Sequence, residues 1–224
     1  MPLLKFLRST IGQKILMGAT GIGLFGFVLL HMLGNLQIFL GPNSLNHYGE
    51  LLRLSPELLW VARLGLLAMV IIHIITAINL TRMNRAARPI GYGEKKLVKA
   101  TWASRTMMIS GLIVLAFIVF HLLHFTLGVV NPAYLDWRDE HTRHDIYRMV
   151  VDGFQNPLIS IGYIICVGLL CLHLSHGVMS LFRSLGLENS FHAIWQVKAA
   201  RFFSWTIFLG MAAVPAAVML KILR

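Results

Sequence analysis

Charged residues leave five long gaps in this 224-residue chain. No Asp, Glu, Lys or Arg occurs in Ile15–Leu40, Leu64–Thr81, Thr106–Leu135, Gly153–Phe182 or Phe202–Leu220. Each gap is close to the ~20 residues that carry a helix across the hydrocarbon core of a bilayer. Ser55-Pro56-Glu57 supplies an N-cap, a first-position proline and a first-turn acid ahead of the second gap, and Asn156-Pro157 is another N-cap and first-position pair within the fourth. The third helix should stop near Asn131-Pro132, and Pro215 should kink the fifth. The pattern predicts spans at 15–40, 57–82, 105–130, 157–183 and 201–221. The expected fold is all-α: one polytopic membrane domain over 1–224, with its first four helices in an antiparallel bundle.

The first span is too long for the apolar core of a signal peptide, and no small-residue cleavage site follows it. Met1–Lys14 is amphipathic and is expected at the membrane surface. The longest loop, about 131–156, is too short to fold alone.

Composition removes the other classes. Hydrophobic residues make up 57% and charged residues 13%, against roughly 25% charged in soluble domains. A water-facing surface cannot be built from this chain, and intrinsic disorder is excluded for the same reason. The net charge of +11 lies on one side of the membrane. The N-terminus and the 82–105 and 183–201 loops hold 13 Lys and Arg with two acids, Glu94 and Glu188. The other side holds seven of each sign. By the positive-inside rule the N-terminus is cytoplasmic and the C-terminus outside. Cys166 and Cys171, five apart in an apolar run, read as packing residues.

Six of the ten histidines lie in the spans: His31, His73, His121, His124, His173 and His176. The first four spans each carry at least one, and the fifth carries none. Ionisable groups in a membrane are costly and usually functional. No carboxylate accompanies these histidines, which argues against a proton relay or a hard-cation site. Neutral imidazole suits transition metals and haem iron.

Depth sorts them. Measured from the cytoplasmic end of each gap at 1.5 Å per residue, His31 lies ~24 Å up, His121 ~22 Å, His73 ~12 Å and His176 ~9 Å. Two outer and two inner histidines on four helices are the layout of two stacked haems, each clamped by two imidazoles. The pairing implied is His31 with His121 and His73 with His176. His173, at ~14 Å, is not separated from His176 by depth, and His124 shares a face with His121. Two alternatives stay open: interhelical hydrogen bonding by each histidine, and a metal held between His121-x-x-His124 and His173-x-x-His176. Gly23, Gly65 and Gly168 each precede a proposed ligand by eight residues. They either make room for a flat ring or pack helices closely.

Ala19-Thr20-Gly21 with Leu30-His31-Met32, Ser110-Gly111 with Phe120-His121-Leu122, and His173-Leu174-Ser175-His176-Gly177 recur here in order across the spans. With five spans and this histidine spacing, the chain resembles the single-subunit, two-haem cytochrome b anchor of succinate dehydrogenase and fumarate reductase. The likeness runs from about Ile11 to Leu220. It implies two haems b on His31, His73, His121 and His176, the His-Gly pair favouring His176 over His173. It implies an iron–sulfur subunit and a flavoprotein docked on the cytoplasmic face of a bacterial inner membrane, and quinone, menaquinone by expectation, as electron partner. No dicarboxylate site belongs to this chain. Some members carry a buried Glu two residues before the inner ligand of the fourth helix. Leu174 stands there, which puts a proton path of that kind in doubt.

Quinone chemistry also needs a proton-exchanging group. Loop one offers Glu50 and His47, near Asn46, Tyr48 and Arg53, and a solvated loop is the alternative. Arg63 and Arg105, at span ends, could pair with haem propionates or simply snorkel. Two further readings compete: the di-haem anchor of a hydrogenase or formate dehydrogenase, and a histidine-based metal-ion transporter.

Overall fold

The computed structural model describes residues 2–87, 102–184 and 193–224; the side chains of 102–106, 183, 184 and 193 lie outside the description. The elements in chain order are α1 (Pro2–Arg8), α2 (Thr10–Leu36), α3 (Pro42–Leu51), α4 (Pro56–Ala86), α5 (Trp102–His121), α6 (Ile146–Gly153), α7 (Pro157–Ser184) and α8 (Ala193–Met219). Five of them, α2, α4, α5, α7 and α8, are long and apolar enough to cross a membrane. The described residues contain no strand, only one isolated bridge between Arg138 and His144.

The helix starts follow their capping chemistry. Ser55 Oγ accepts from the Leu58 N–H, and Asn156 Oδ1 from that of Leu158, as the sequence predicts. The N-terminal stretch divides differently from expectation. Ser9 breaks it and caps α2, accepting from Gly12 N–H, so the surface helix is only α1. A side chain at position 12 would strike the Phe6 carbonyl, so this close turn needs glycine.

The third span ends sooner than predicted. α5 stops at His121, and Leu122–Thr126 forms a π-helical turn. Gly128 then reverses the chain at φ 63°, with Leu135 packed against it. A wider turn at this level re-aims the side chains that follow, a deviation often seen at functional sites. Loop one is helical rather than open. Gly41 turns the chain at φ 99°, a region that favours glycine. Pro42 then occupies the first turn of α3.

The spans associate as pairs. α4 packs chiefly on α2, and α5 chiefly on α7. The fifth span, α8, lies against α7 and α2 and ties the pairs together. Its most apolar stretch is the most enclosed of the five, while that of α4 has no buried residue. The outward faces carry Ile, Leu, Val and Phe, as lipid contact demands.

The main core lies at the end remote from the N-terminus, the outer end in the orientation expected from the charge asymmetry. Ile38, Leu45, Tyr134, Met149, Val150, Phe154, Tyr163 and Val218 pack together there. They fasten α3, α6 and the 131–156 segment over the helix ends as a cap. Asn46 is its polar staple, at 1% exposure. Its amide donates to Asp139 at 3.2 Å and Asp145 at 3.1 Å, and its carbonyl accepts from Tyr147 N–H at 2.9 Å. Arg143 closes the same knot on Asp139 at 2.8 Å and reaches Asn43 at 2.9 Å.

Burial alone would raise the Asp139 pKa. Hydrogen bonds from the Arg143 side chain and N–H, from Asn46 and from His141 N–H outweigh it and hold the carboxyl at about 2. A depressed carboxylate stabilises the folded state above its unfolded pKa, and that share is lost as pH falls through the folded value. The cap should therefore hold at pH 4 and above and loosen as pH falls from about 4 towards 2. Hydrogen exchange of α3 and α6 amides across that range measures it. Asn46→Ala removes three hydrogen bonds and should lower stability by about 2–4 kcal/mol, read as earlier thermal release of the same amides.

Candidate functional site

The outer histidines meet. His31 of α2 and His121 of α5 have ring centroids 5.7 Å apart with planes at 85°. That separation is close to the one two imidazoles adopt when each places a nitrogen about 2 Å from a shared transition-metal ion. His121 Nδ1 is buried without a hydrogen-bond partner. Such an atom is unfavourable in a dry interior unless a ligand engages the ring. Asn35, one turn beyond His31, donates to the His31 carbonyl at 2.8 Å and lies 3.2 Å from His31 Nε2. Phe27 stacks on His31, and Phe117 and Phe125 flank His121.

The inner level is built twice over in the same way. Thr20 of α2 donates its hydroxyl proton to backbone carbonyls, Leu16 O at 2.8 Å and Met17 O at 3.1 Å. The same hydroxyl lies 3.1 Å from His73 Nδ1, where either group donates according to the imidazole tautomer. Ser110 of α5 donates to Met107 O at 3.0 Å and lies 3.2 Å from His173 Nδ1. Both contacts engage Nδ1 and orient the imidazole against the neighbouring helix. The next residue on each helix is glycine. A Cβ on Gly21 would lie 3.6 Å from His73 Cε1, and one on Gly111 3.5 Å from His173 Cε1.

Thr20 precedes His31 by eleven residues, and Ser110 precedes His121 by eleven. Eleven residues are about three turns, so hydroxyl and imidazole share one face of their helix, ~16 Å apart. His73 and His173 are bound to equivalent hydroxyls and so stand at equivalent levels. His176 lies three residues, ~4.5 Å, further in, within electrostatic range of His173.

His124 is accounted for otherwise. It is 1% exposed, its Nδ1 bonds Tyr163 OH at 3.0 Å, and it lies against Phe125 with ring centroids 4.0 Å apart. Here the imidazole is a buried hydrogen-bonding side chain. Among the described residues no three His, Cys, Asp or Glu converge as a multidentate metal centre. The glycines divide. Gly23 faces Met69 and Gly168 faces Phe208, as in close helix packing, while the space beside Gly65 is open.

In the outer cap, His47 and Glu50 form an exposed i,i+3 pair, Nδ1 to carboxylate 3.3 Å. Tyr48 fills the space beside Gly34 of α2. Arg63 stacks on Trp60 and faces the outer cavity; the side chain of Arg105 lies outside the description. Sequence reasoning missed Asn35, Tyr163 and the roles of Thr20 and Ser110. The eleven-residue hydroxyl-to-histidine spacing, present on two spans, was the available signal for the last two.

Fold and side chains define a helical membrane protein with five candidate spans, a facing pair His31 and His121, and His73 and His173 each set against a hydroxyl of a neighbouring helix. Comparison with protein-family models, curated proteins and solved structures finds no match.

Tyr163→Phe leaves the His124 Nδ1 buried and unpartnered. It should cost about 1–3 kcal/mol, seen as a lower thermal midpoint of the purified protein with unchanged far-ultraviolet circular dichroism.

Proposed function

We propose that this chain is the membrane-anchor cytochrome b subunit of a succinate:quinone oxidoreductase, working in either direction between succinate and quinone. The observation that carries the reading is the duplicated inner arrangement, Thr20–His73 and Ser110–His173, lying below the facing pair His31 and His121. It supplies four imidazoles from four helices at two levels. A porphyrin needs this arrangement, and isolated interhelical hydrogen bonds do not.

In this reading His31 and His121 hold the outer haem b, and His73 and His173 the inner one. His173 takes the place of the His176 expected from the sequence in this reading, supported by the contact of Ser110 with His173, the counterpart of that of Thr20 with His73. Held between two imidazoles, each haem would supply one-electron transfer and would not bind O₂. The residues supply its setting: Thr20 and Ser110 orient the ligands, the paired helices exclude water, and Asn35 yields the His31 lone pair while keeping its bond to the backbone. The basic face, on the N-terminal side, would dock an iron–sulfur subunit carrying the flavoprotein. The exposed pair His47 and Glu50 stands in contact with outer water, where it could exchange protons with a quinone. A hydrogenase or formate dehydrogenase anchor would use the same haem chemistry, and partner identity separates it.

Two haems per chain are expected by pyridine haemochrome assay of the purified complex. His173→Ala should remove one of them and His176→Ala neither. Loss of a haem in His176→Ala with both retained in His173→Ala restores the other pairing. A haem-free preparation sinks the reading. Glu50→Gln and His47→Ala should slow quinone-linked turnover while leaving the absorption spectrum unchanged.

A further inference from the structure

Beside the outer histidines a cavity of about 480 Å³ opens towards the outer surface. Arg53, which follows α3, Arg63 of α4, Arg138 of the cap and His144 line it, with Phe125 in its wall. No carboxylate is among its lining residues. Among the described residues neither Arg53 nor Arg63 has a carboxylate partner, and Arg138 donates only to the Leu135 and Trp137 carbonyls at 2.8 and 2.9 Å. Burial, with Arg63 and Arg138 nearby, pulls the Arg53 pKa below its usual value. Burial, then Arg53 and Arg138, push His144 down to about 4, against a smaller opposing pull from Asp145. His144 is therefore neutral at pH 7, and its Nδ1 is buried with no hydrogen-bond partner.

The three arginines line the cavity wall while each remains partly open to water, which screens their repulsion, and an anion between them would relieve what remains. Guanidinium matches the planar oxygens of carboxylate and phosphate. A neutral imidazole can add one further donor. We propose that this cavity is an oxyanion-binding site, taking a carboxylate or phosphate group between Arg53, Arg63 and Arg138. Two sources carry that chemistry to this level. One is the pair of carboxylate arms of a porphyrin held by His31 and His121, one phenyl ring away through Phe125; this source rests on the function proposed above. The other is the phosphate of an outer-leaflet lipid, which does not.

Arginine-selective labelling with phenylglyoxal, read residue by residue by mass spectrometry on the purified holoprotein, tests it. Arg148 and Arg224, exposed as the three are but outside the cavity lining, serve as internal references. An occupied site should slow labelling of Arg53, Arg63 and Arg138 about tenfold relative to the references. Protection lost on exchange into a maltoside detergent, which carries no phosphate, and regained with inorganic phosphate at constant ionic strength, assigns a lipid phosphate. Protection that survives the exchange and disappears in a His31→Ala/His121→Ala variant assigns porphyrin carboxylates. Protection in a protein that carries no haem keeps the oxyanion site and removes the haem reading. Labelling of all three at the reference rates in the untreated holoprotein overturns the proposal.

Discussion

Lipid offers no hydrogen bonds, so each polar group drawn into the spans must find its partner inside the protein. That constraint makes the spans helical. It also turns the hydroxyls of Thr20 and Ser110 back onto their own helices, where each places its one proton on a carbonyl a turn away. Each hydroxyl also meets Nδ1 of an imidazole from the facing helix. The need to satisfy polar groups inside the protein thus sets the orientation of two histidine rings.

The same geometry repeats because α2 and α5 carry the same three features at the same distances: a hydroxyl, a glycine directly after it, and a histidine eleven residues beyond the hydroxyl. Glycine lets the partner imidazole approach the helix. Three turns return the histidine to the hydroxyl's face. α4 and α7 each contribute one imidazole to these hydroxyls. The packing of α4 on α2 and of α5 on α7 is the helical counterpart of that pairing. α8 supplies no histidine and has a different part, holding the two pairs together through α7 and α2.

Rigidity and exchange are segregated along the membrane normal. The outer cap has a packed core, the Asn46 staple and the Arg143–Asp139 ion pair. It fixes the π-helical turn after His121 and the arginines around the outer cavity. Titratable pairs free to meet water, such as His47 with Glu50, lie on its surface.

Much of this was legible in the sequence. The absence of charge over five stretches determined five spans, because no water-facing surface could be built from them. Ser55 and Asn156 marked two helix starts, since a cap is a local interaction. Histidine depth placed His31 opposite His121, because rise per residue is constant in a helix. The limits were tertiary. Depth could not choose between His173 and His176, one turn apart. It is His173 that lies against Ser110, a contact set by the rotation of α7 against α5. His124 lies as close to His121 in sequence as His176 does to His173, and only packing gave it Tyr163. The meeting of Arg53, Arg63 and Arg138 joins residues from three separate segments. Local pattern carries no record of such a meeting, because it is set by how the cap closes over the helix ends.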